Sequence, residues 1–265
     1  MISSLLIAVS GCGDDFTEGR TLEEFFIVNN INPQQTASGL YFNIFDEGTG
    51  EKVDFSKFVV LDFTQFDLNN EVLGGTMNTD FPAALQLSTV NIPGLIEGLT
   101  LLGKGGRANL FVPVELAGPN TLPLIYAVEV IEIYDDLTDY NDGEIEKYLE
   151  ANELTATRMD DGMYVIIEEP GSEERPDLSS TVTVDYHGYF LNGDVFDSSV
   201  DRGQPETFGL SAVIQGWQVG IPLFGVGGKG TILIPSGLAY GTAGNTAIPP
   251  NYPIAFDVEL VEIVQ

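Results

Sequence analysis

Seven residues late in the chain, Tyr186, Phe196, Asp197, Ile214, Trp217, Tyr240 and Phe256, have the types of a small aromatic box that carries one carboxylate and one phenol. Taken singly, each of these aromatics could equally be core, because buried aromatics dominate small cores. Nucleophilic and soft-metal chemistry find no support, since the chain has one histidine and one cysteine and so offers neither a Ser-His or Cys-His pair nor a ligand cluster. The histidine, His187, alternates to the strand face opposite Tyr186, which points to a surface role.

Two predicted strands aim the aromatics inward. Residues 182–186 alternate with period two, so Val182, Val184 and Tyr186 share a face, and Ile254, Phe256, Val258 and Leu260 do the same near the C-terminus. Between them, the spacing of Ile214, Trp217, Ile221 and Phe224 suits a short helix lying across the sheet. Periodicity alone does not choose between core and site.

The ordered motifs Val184-Asp-Tyr-His-Gly188, Val195-Phe-Asp-Ser-Ser199, Val213-Ile-Gln-Gly-Trp217, Leu238-Ala-Tyr-Gly241, Ile248-Pro-Pro250 and Phe256-Asp-Val-Glu-Leu260 resemble the FK506-binding-protein (FKBP) family of peptidyl-prolyl cis/trans isomerases over about residues 163 to 264. The resemblance implies an α+β fold, an antiparallel sheet of five strands curled around a short helix, with a proline-binding pocket between them. It implies Trp217 as the pocket floor, Tyr186, Phe196, Val213, Ile214 and Phe256 as its walls, and Ile248 at its lip. Asp197 and the Tyr240 hydroxyl are its implied catalytic polar groups, acting by orientation and electrostatics, with the Ile214 N–H as a further donor. The implied partners are proline-containing polypeptide clients and FK506-like ligands, and no cofactor is implied. Glu206 departs from the pattern by standing where the family often has an aromatic, and the stretch between Phe208 and Trp217 is short.

The pattern recurs upstream. At a constant offset of 123, Leu22 pairs with Ile145, Asn29 with Asn152, Gly39 with Gly162, Tyr41 with Tyr164, Asp62 with Asp185 and Asn69 with Asn192. The chain is therefore expected to hold two tandem FKBP-like domains, a degenerate one over 22–134 and a complete one over 143–265, joined by an acidic linker at 135–142. Each is expected to open with a short helix, over 22–29 and 144–152, the second capped by Asp142. In the first copy Phe63, Leu73 and Gly74 stand for Tyr186, Phe196 and Asp197, and after a one-residue shift Leu95 and Gly118 stand for Trp217 and Tyr240. The offset then rises from 122 to 130, so the loop carrying Ile248, Pro249 and Pro250 is eight residues shorter there. The first copy is expected to be a scaffold, a contact surface or a weak peptide binder.

Other motifs mislead. Gly225-Val-Gly-Gly-Lys-Gly230 matches a dinucleotide fingerprint but leads into a strand, whereas such a fold needs strand, glycines, then helix. Read as a calcium loop on Gly143, residues 138–149 put Tyr140 at a ligand position and Leu149 at the closing carboxylate. A net charge of -30 with pI near 4.1 argues against nucleic acid. The acids are dispersed, as on a solvated surface.

The amino terminus, apolar and ending in Val9-Ser-Gly-Cys12, resembles a bacterial lipoprotein signal over residues 1–12, with Cys12 as the lipidated residue that holds the protein to a membrane. No Lys or Arg precedes Arg20, so either a longer leader lies upstream or the signal is unusually short. Residues 13–21 then form a tether, and their acidic start is similar to the export tag of some Bacteroidota lipoproteins, which implies an envelope location, the outer membrane, and exposure at the surface. The competing class is a non-enzymatic binding module or chaperone of the envelope that holds proline-rich partners.

Overall fold

A computed structural model describes residues 21–77, 79–118 and 122–264. The chain divides into two compact units between Asp136 and Leu137. Each is an α+β unit with a seven-stranded antiparallel sheet, its extra strands over the five expected being short edge pieces.

The first unit runs α1 (Leu22–Asn29), β1 (Gln34–Gln35), β2 (Tyr41–Asp46), β3 (Thr49–Lys52), β4 (Phe58–Phe66), β5 (Val72–Gly75), β6 (Ala83–Gln86), α2 (Pro93–Thr100), β7 (Gly103–Lys104), β8 (Arg107–Val112) and β9 (Leu124–Tyr134). The second runs α3 (Leu137–Ala151), β10 (Thr157–Arg158), β11 (Tyr164–Glu169), β12 (Thr181–Phe190), β13 (Val195–Ser198), α4 (Ser199–Arg202), β14 (Glu206–Gly209), α5 (Gln215–Gly220), β15 (Lys229–Ile234) and β16 (Ile254–Val264). Strand order is β1-β2-β8-β9-β4-β5 with β6 on β4, and β10-β11-β15-β16-β12-β13 with β14 on β12. The two orders are the same, and the strands fall at the offsets read from the sequence.

Both sheet faces are covered, which is why β8 and β15 are buried from their second residue onward instead of alternating. In the first unit, Leu110 and Val112 of β8 pack with Leu95 and Leu99 of α2, while Phe111 between them meets Phe25 and Phe26 of α1 on the other face. In the second, Leu233 of β15 packs with Ile145 and Leu149 of α3, and Ile232 and Ile234 face α5. The central helix lies close to its sheet because glycines line the contact. A Cβ at Gly94 would stand 2.6 Å from Val112, and one at Gly220 would stand 2.7 Å from Ile232.

The helix predicted over 22–29 forms there, closed by a capping box in which Thr21 Oγ1 accepts from the Glu24 N–H at 3.2 Å and Glu24 accepts from the Thr21 N–H at 3.1 Å. The second differs from expectation. It starts at Leu137, not near 144, and takes in most of the segment predicted as linker. Asp142 is not its cap but lies inside it, where its carboxylate accepts from Arg158 Nη2 at 2.8 Å and from the Tyr164 hydroxyl at 3.2 Å. The cause is burial: Tyr140, Ile145 and Leu149 form a helical stripe against the sheet and override the turn-like composition around Asp142-Gly143. No helix among the described residues is long and apolar enough to cross a membrane.

Candidate functional site

Alternation along β12 buries Val182, Val184 and Tyr186, and register places Gly188 opposite Phe256 of β16 on one side and Asp197 of β13 on the other. Gly188 is required there, since a Cβ would stand 2.6 Å from the Phe256 ring and 2.8 Å from that of Phe196. Trp217 enters from α5, whose first turn is closed by its N–H donating to the Ile214 carbonyl at 3.0 Å.

The rings meet edge to face. Tyr186 and Trp217 centroids are 5.1 Å apart at 83°, Trp217 and Phe256 5.0 Å at 83°, and Phe196 and Phe256 5.5 Å at 87°. Above them opens a cleft of about 490 Å³, a volume suited to a small ligand. Tyr186, Phe196, Asp197, Val213, Ile214, Trp217, Tyr240, Ile248 and Phe256 all line it. Of the candidate site residues only Cys12 lies outside the described residues, and the signal read over 1–12 and the tether up to residue 20 lie outside them with it.

The polar groups fall into two kinds. Asp197 is bound within the wall: it accepts from the Tyr186 hydroxyl at 2.5 Å and from Arg202 Nη1, while Arg202 Nη2 donates to Tyr186 Oη at 2.9 Å and to Glu206 at 2.5 Å. Desolvation pushes the Asp197 carboxyl up, but the Tyr186 hydroxyl and the Arg202 guanidinium outweigh it and hold the carboxyl below its ordinary value. Desolvation, then the bond to Asp197, pushes the Tyr186 phenol up to about 12. The Tyr240 phenol is raised by desolvation and by the Asp197 charge, so it keeps its proton at neutral pH. Among the described residues its hydroxyl has no hydrogen-bond partner and remains free to donate into the cleft.

Tyr240 and Ile248 sit on a loop that braces itself. Asn245 Oδ1 accepts from the N–H groups of Ala247 and Ile248 at 2.7 and 2.8 Å, its own N–H donates to the Ile248 carbonyl at 2.8 Å, and the Asn251 N–H donates to the Gly241 carbonyl at 2.9 Å.

Sequence reading missed two members. Arg202 is brought to Asp197 by the single turn α4, where Ser198 caps by accepting from the Asp201 N–H at 3.0 Å. The legible part was the Ser198 cap, which marks a helical turn after it without showing what Arg202 reaches. Phe208 packs on the indole with centroids 5.2 Å apart, and its position in β14 two residues beyond Glu206 was the clue. His187 is half-buried and not a bare surface group, its Nδ1 lying 3.0 Å from the Ser198 hydroxyl.

In the first unit, Leu95 is buried where Trp217 stands, and Tyr126 is 1% exposed where Phe256 stands. The Tyr126 hydroxyl is buried without a partner among the described residues, and desolvation pushes it up to about 12. Phe63 approaches it at 6.3 Å between centroids.

The family model described as FKBP-type peptidyl-prolyl cis-trans isomerase matches residues 172–261. FK506-binding protein 1 of Saccharomyces cerevisiae is 47% identical over 91 residues, which cover 33% of this chain and 80% of that protein. The FKBP-type peptidyl-prolyl cis-trans isomerase FkpA of Aeromonas hydrophila is 42% identical over 120 residues, covering 44% of this chain and 45% of that protein. The crystal structure of FkpA from Escherichia coli aligns at a TM-score of 0.44 with 38% identity, over 47% of this chain and 59% of that one. This chain thus spans less than half the length of the FkpA relative from Aeromonas hydrophila.

Proposed function

The chain belongs to the FKBP-type peptidyl-prolyl cis-trans isomerase family, and from that premise we propose that its second unit catalyses cis/trans isomerisation of exposed X–Pro bonds in protein clients. The observation that carries the proposal is a free phenol, Tyr240, and a paired carboxylate, Asp197, set at the rim of a cleft walled by perpendicular rings.

An X–Pro bond rotates over a barrier of roughly 18 to 20 kcal/mol because the twisted transition state loses amide resonance. No nucleophile is needed. The planar amide is the more charge-separated form, so a cleft that removes water disfavours it relative to the twisted one. Seating the proline ring on Trp217 between Tyr186, Phe196 and Phe256 contributes on the order of 1.5 to 3 kcal/mol of binding, felt equally in ground and transition states. Rate must come from groups that act only on the twisted amide, and each roughly 1.4 kcal/mol of such preference is a factor of about ten. Tyr240 is assigned to donate to the rotating carbonyl, the Ile214 N–H to hold the peptide, and Asp197 to fix Tyr186 and the local field. Val213 and Ile248 close the sides. FK506-like macrolides would occupy the same cleft, weakened by Glu206 in place of an aromatic.

The first unit, with Gly74 and Gly118 where the polar groups would stand, is assigned a scaffolding or client-contact role. The protein is assigned to the bacterial envelope, tethered through a lipidated Cys12, in keeping with the lipobox spelled by residues 9–12. Partition of the full chain into detergent, abolished in Cys12→Ala, is the expected result; partition unchanged by that substitution removes the anchor.

The central test is isomerisation of a short Leu–Pro peptide by the full chain beside Asp197→Ala and Tyr240→Phe. Turnover that falls in both variants supports the proposal. A folded protein that binds proline peptides without turning them over moves it to the class of binding modules.

A further inference from the structure

The cleft wall holds a charge that seating a proline ring does not use. Glu206 pairs with Val184 at the start of β14 and lines the cleft with Phe208 and Val213. Its carboxylate takes one arm of Arg202 at 2.5 Å, and Asp197 takes the other. One guanidinium is therefore shared by two carboxylates, which leaves this side of the cleft with an unbalanced negative charge. Among the described residues that line the cleft there is no Lys, Arg or His. The Asp197 and Glu206 side chains remain 44% and 48% exposed, so both reach the solvent through which the flanks of a bound peptide must pass. Phe208, half-buried beside Glu206, offers apolar surface on which an alkyl stem can lie while its charged head stays wet.

Resting on the reading of this cleft as a proline site, we propose that it selects segments bearing a Lys or Arg next to the proline, and that Glu206 is the residue that reads that charge. A glutamate in the client would meet the same excess of negative charge and be turned away. Solvent-exposed attraction for one sign and repulsion of the other together give a preference of about tenfold for Lys over Glu.

The test uses the full chain and peptides with Lys, Leu or Glu on either side of proline. Binding is followed by the fluorescence of Trp217, the only tryptophan, and turnover is measured in parallel. The expected Lys-to-Glu ratio of about tenfold, in binding and in kcat/KM, should shrink toward one as salt rises and the screening length drops from roughly 10 Å at 0.1 M to 3 Å at 1 M. Glu206→Gln should bring the ratio to roughly threefold or below, and Glu206→Asp should keep most of it. A wild-type ratio near one, a ratio insensitive to salt, or one unchanged in Glu206→Gln overturns the proposal. Charge-selective binding without turnover leaves selection standing and removes the isomerase reading. Turnover without charge preference does the reverse, and absence of any binding removes both.

Discussion

The two units share a fold but not a site, and the residues they share are different from the residues that make the cleft. In the first, the Thr76 hydroxyl donates to Asp62 at 3.0 Å and accepts from the Phe63 N–H at 3.1 Å. In the second, the Ser199 hydroxyl donates to Asp185 at 2.9 Å and accepts from the Tyr186 N–H at 2.8 Å. This pin ties the segment after the hairpin back to the central strand in both copies. Gly94 and Gly98 of α2, like Gly216 and Gly220 of α5, let the helix approach the sheet. Meanwhile Trp217, Asp197 and Tyr240 have Leu95, Gly74 and Gly118 as counterparts. Fold and cleft are thus carried by separable sets, one buried in pins and close contacts, the other set on the floor and rim of the cleft.

The comparison breaks first at the floor. Trp217→Leu, which gives the second unit the residue of the first, is expected to lower kcat/KM by about a hundredfold, while urea unfolding shows a loss of on the order of 2 to 3 kcal/mol. The shared glycines test the fold half. Gly98→Val and Gly220→Val should each destabilise their unit by roughly 1 to 3 kcal/mol through overpacking, with only the latter affecting turnover; a large difference between the two stability losses would show that the helices are not equivalently seated. Tyr240→Phe, by contrast, should reduce turnover about tenfold at an unchanged urea midpoint, since it removes one free donor that contributes nothing to folding.

Smaller effects come from pH. Because the folded Asp197 carboxyl lies below its unfolded value near 3.9, its contribution to stability is complete above that value and lost as pH falls through the folded one. Tyr186, pushed up to about 12, and Tyr240, also raised, keep their protons well into alkali. Neither Asp197 nor the two phenols changes charge between roughly pH 5 and 9, so turnover should be flat there and decline below about pH 4. A titration of kcat/KM near neutrality would contradict these assignments. The first unit offers the opposite sign. Desolvation raises the Asp62 carboxyl despite the Thr76 hydroxyl, so its ionisation costs stability as pH rises through the window between unfolded and folded values. Asp62→Asn should therefore leave the protein at neutral pH equally stable or slightly more so, a gain that disappears in acid.

Much of this was legible in the sequence because duplication repeats spacing. The offset of 123 located β1, β2, β4, β5 and β6 on β10 to β14, and the change to 130 located the shortened loop before β9. Period-two alternation oriented Tyr186 and Phe256 correctly. The helix from Leu137 escaped notice because Asp142-Gly143 has the composition of a turn, and only burial of Tyr140 against the sheet shows otherwise. Arg202 escaped because its role depends on one turn of helix that folds it back on Asp197, a three-dimensional fact that linear spacing does not encode.

The loop from Gly241 to Asn251 closes on hydrogen bonds between its own residues, through Asn245 and the bond from Asn251 to Gly241. It behaves as a cassette whose shape is specified internally and whose two ends are bonded to each other. A lineage can gain or shed such a cassette by one insertion or deletion without renegotiating any strand register, so the eight-residue difference in this loop needs only one such step, separate from the substitutions that put Leu95 and Gly74 where Trp217 and Asp197 stand.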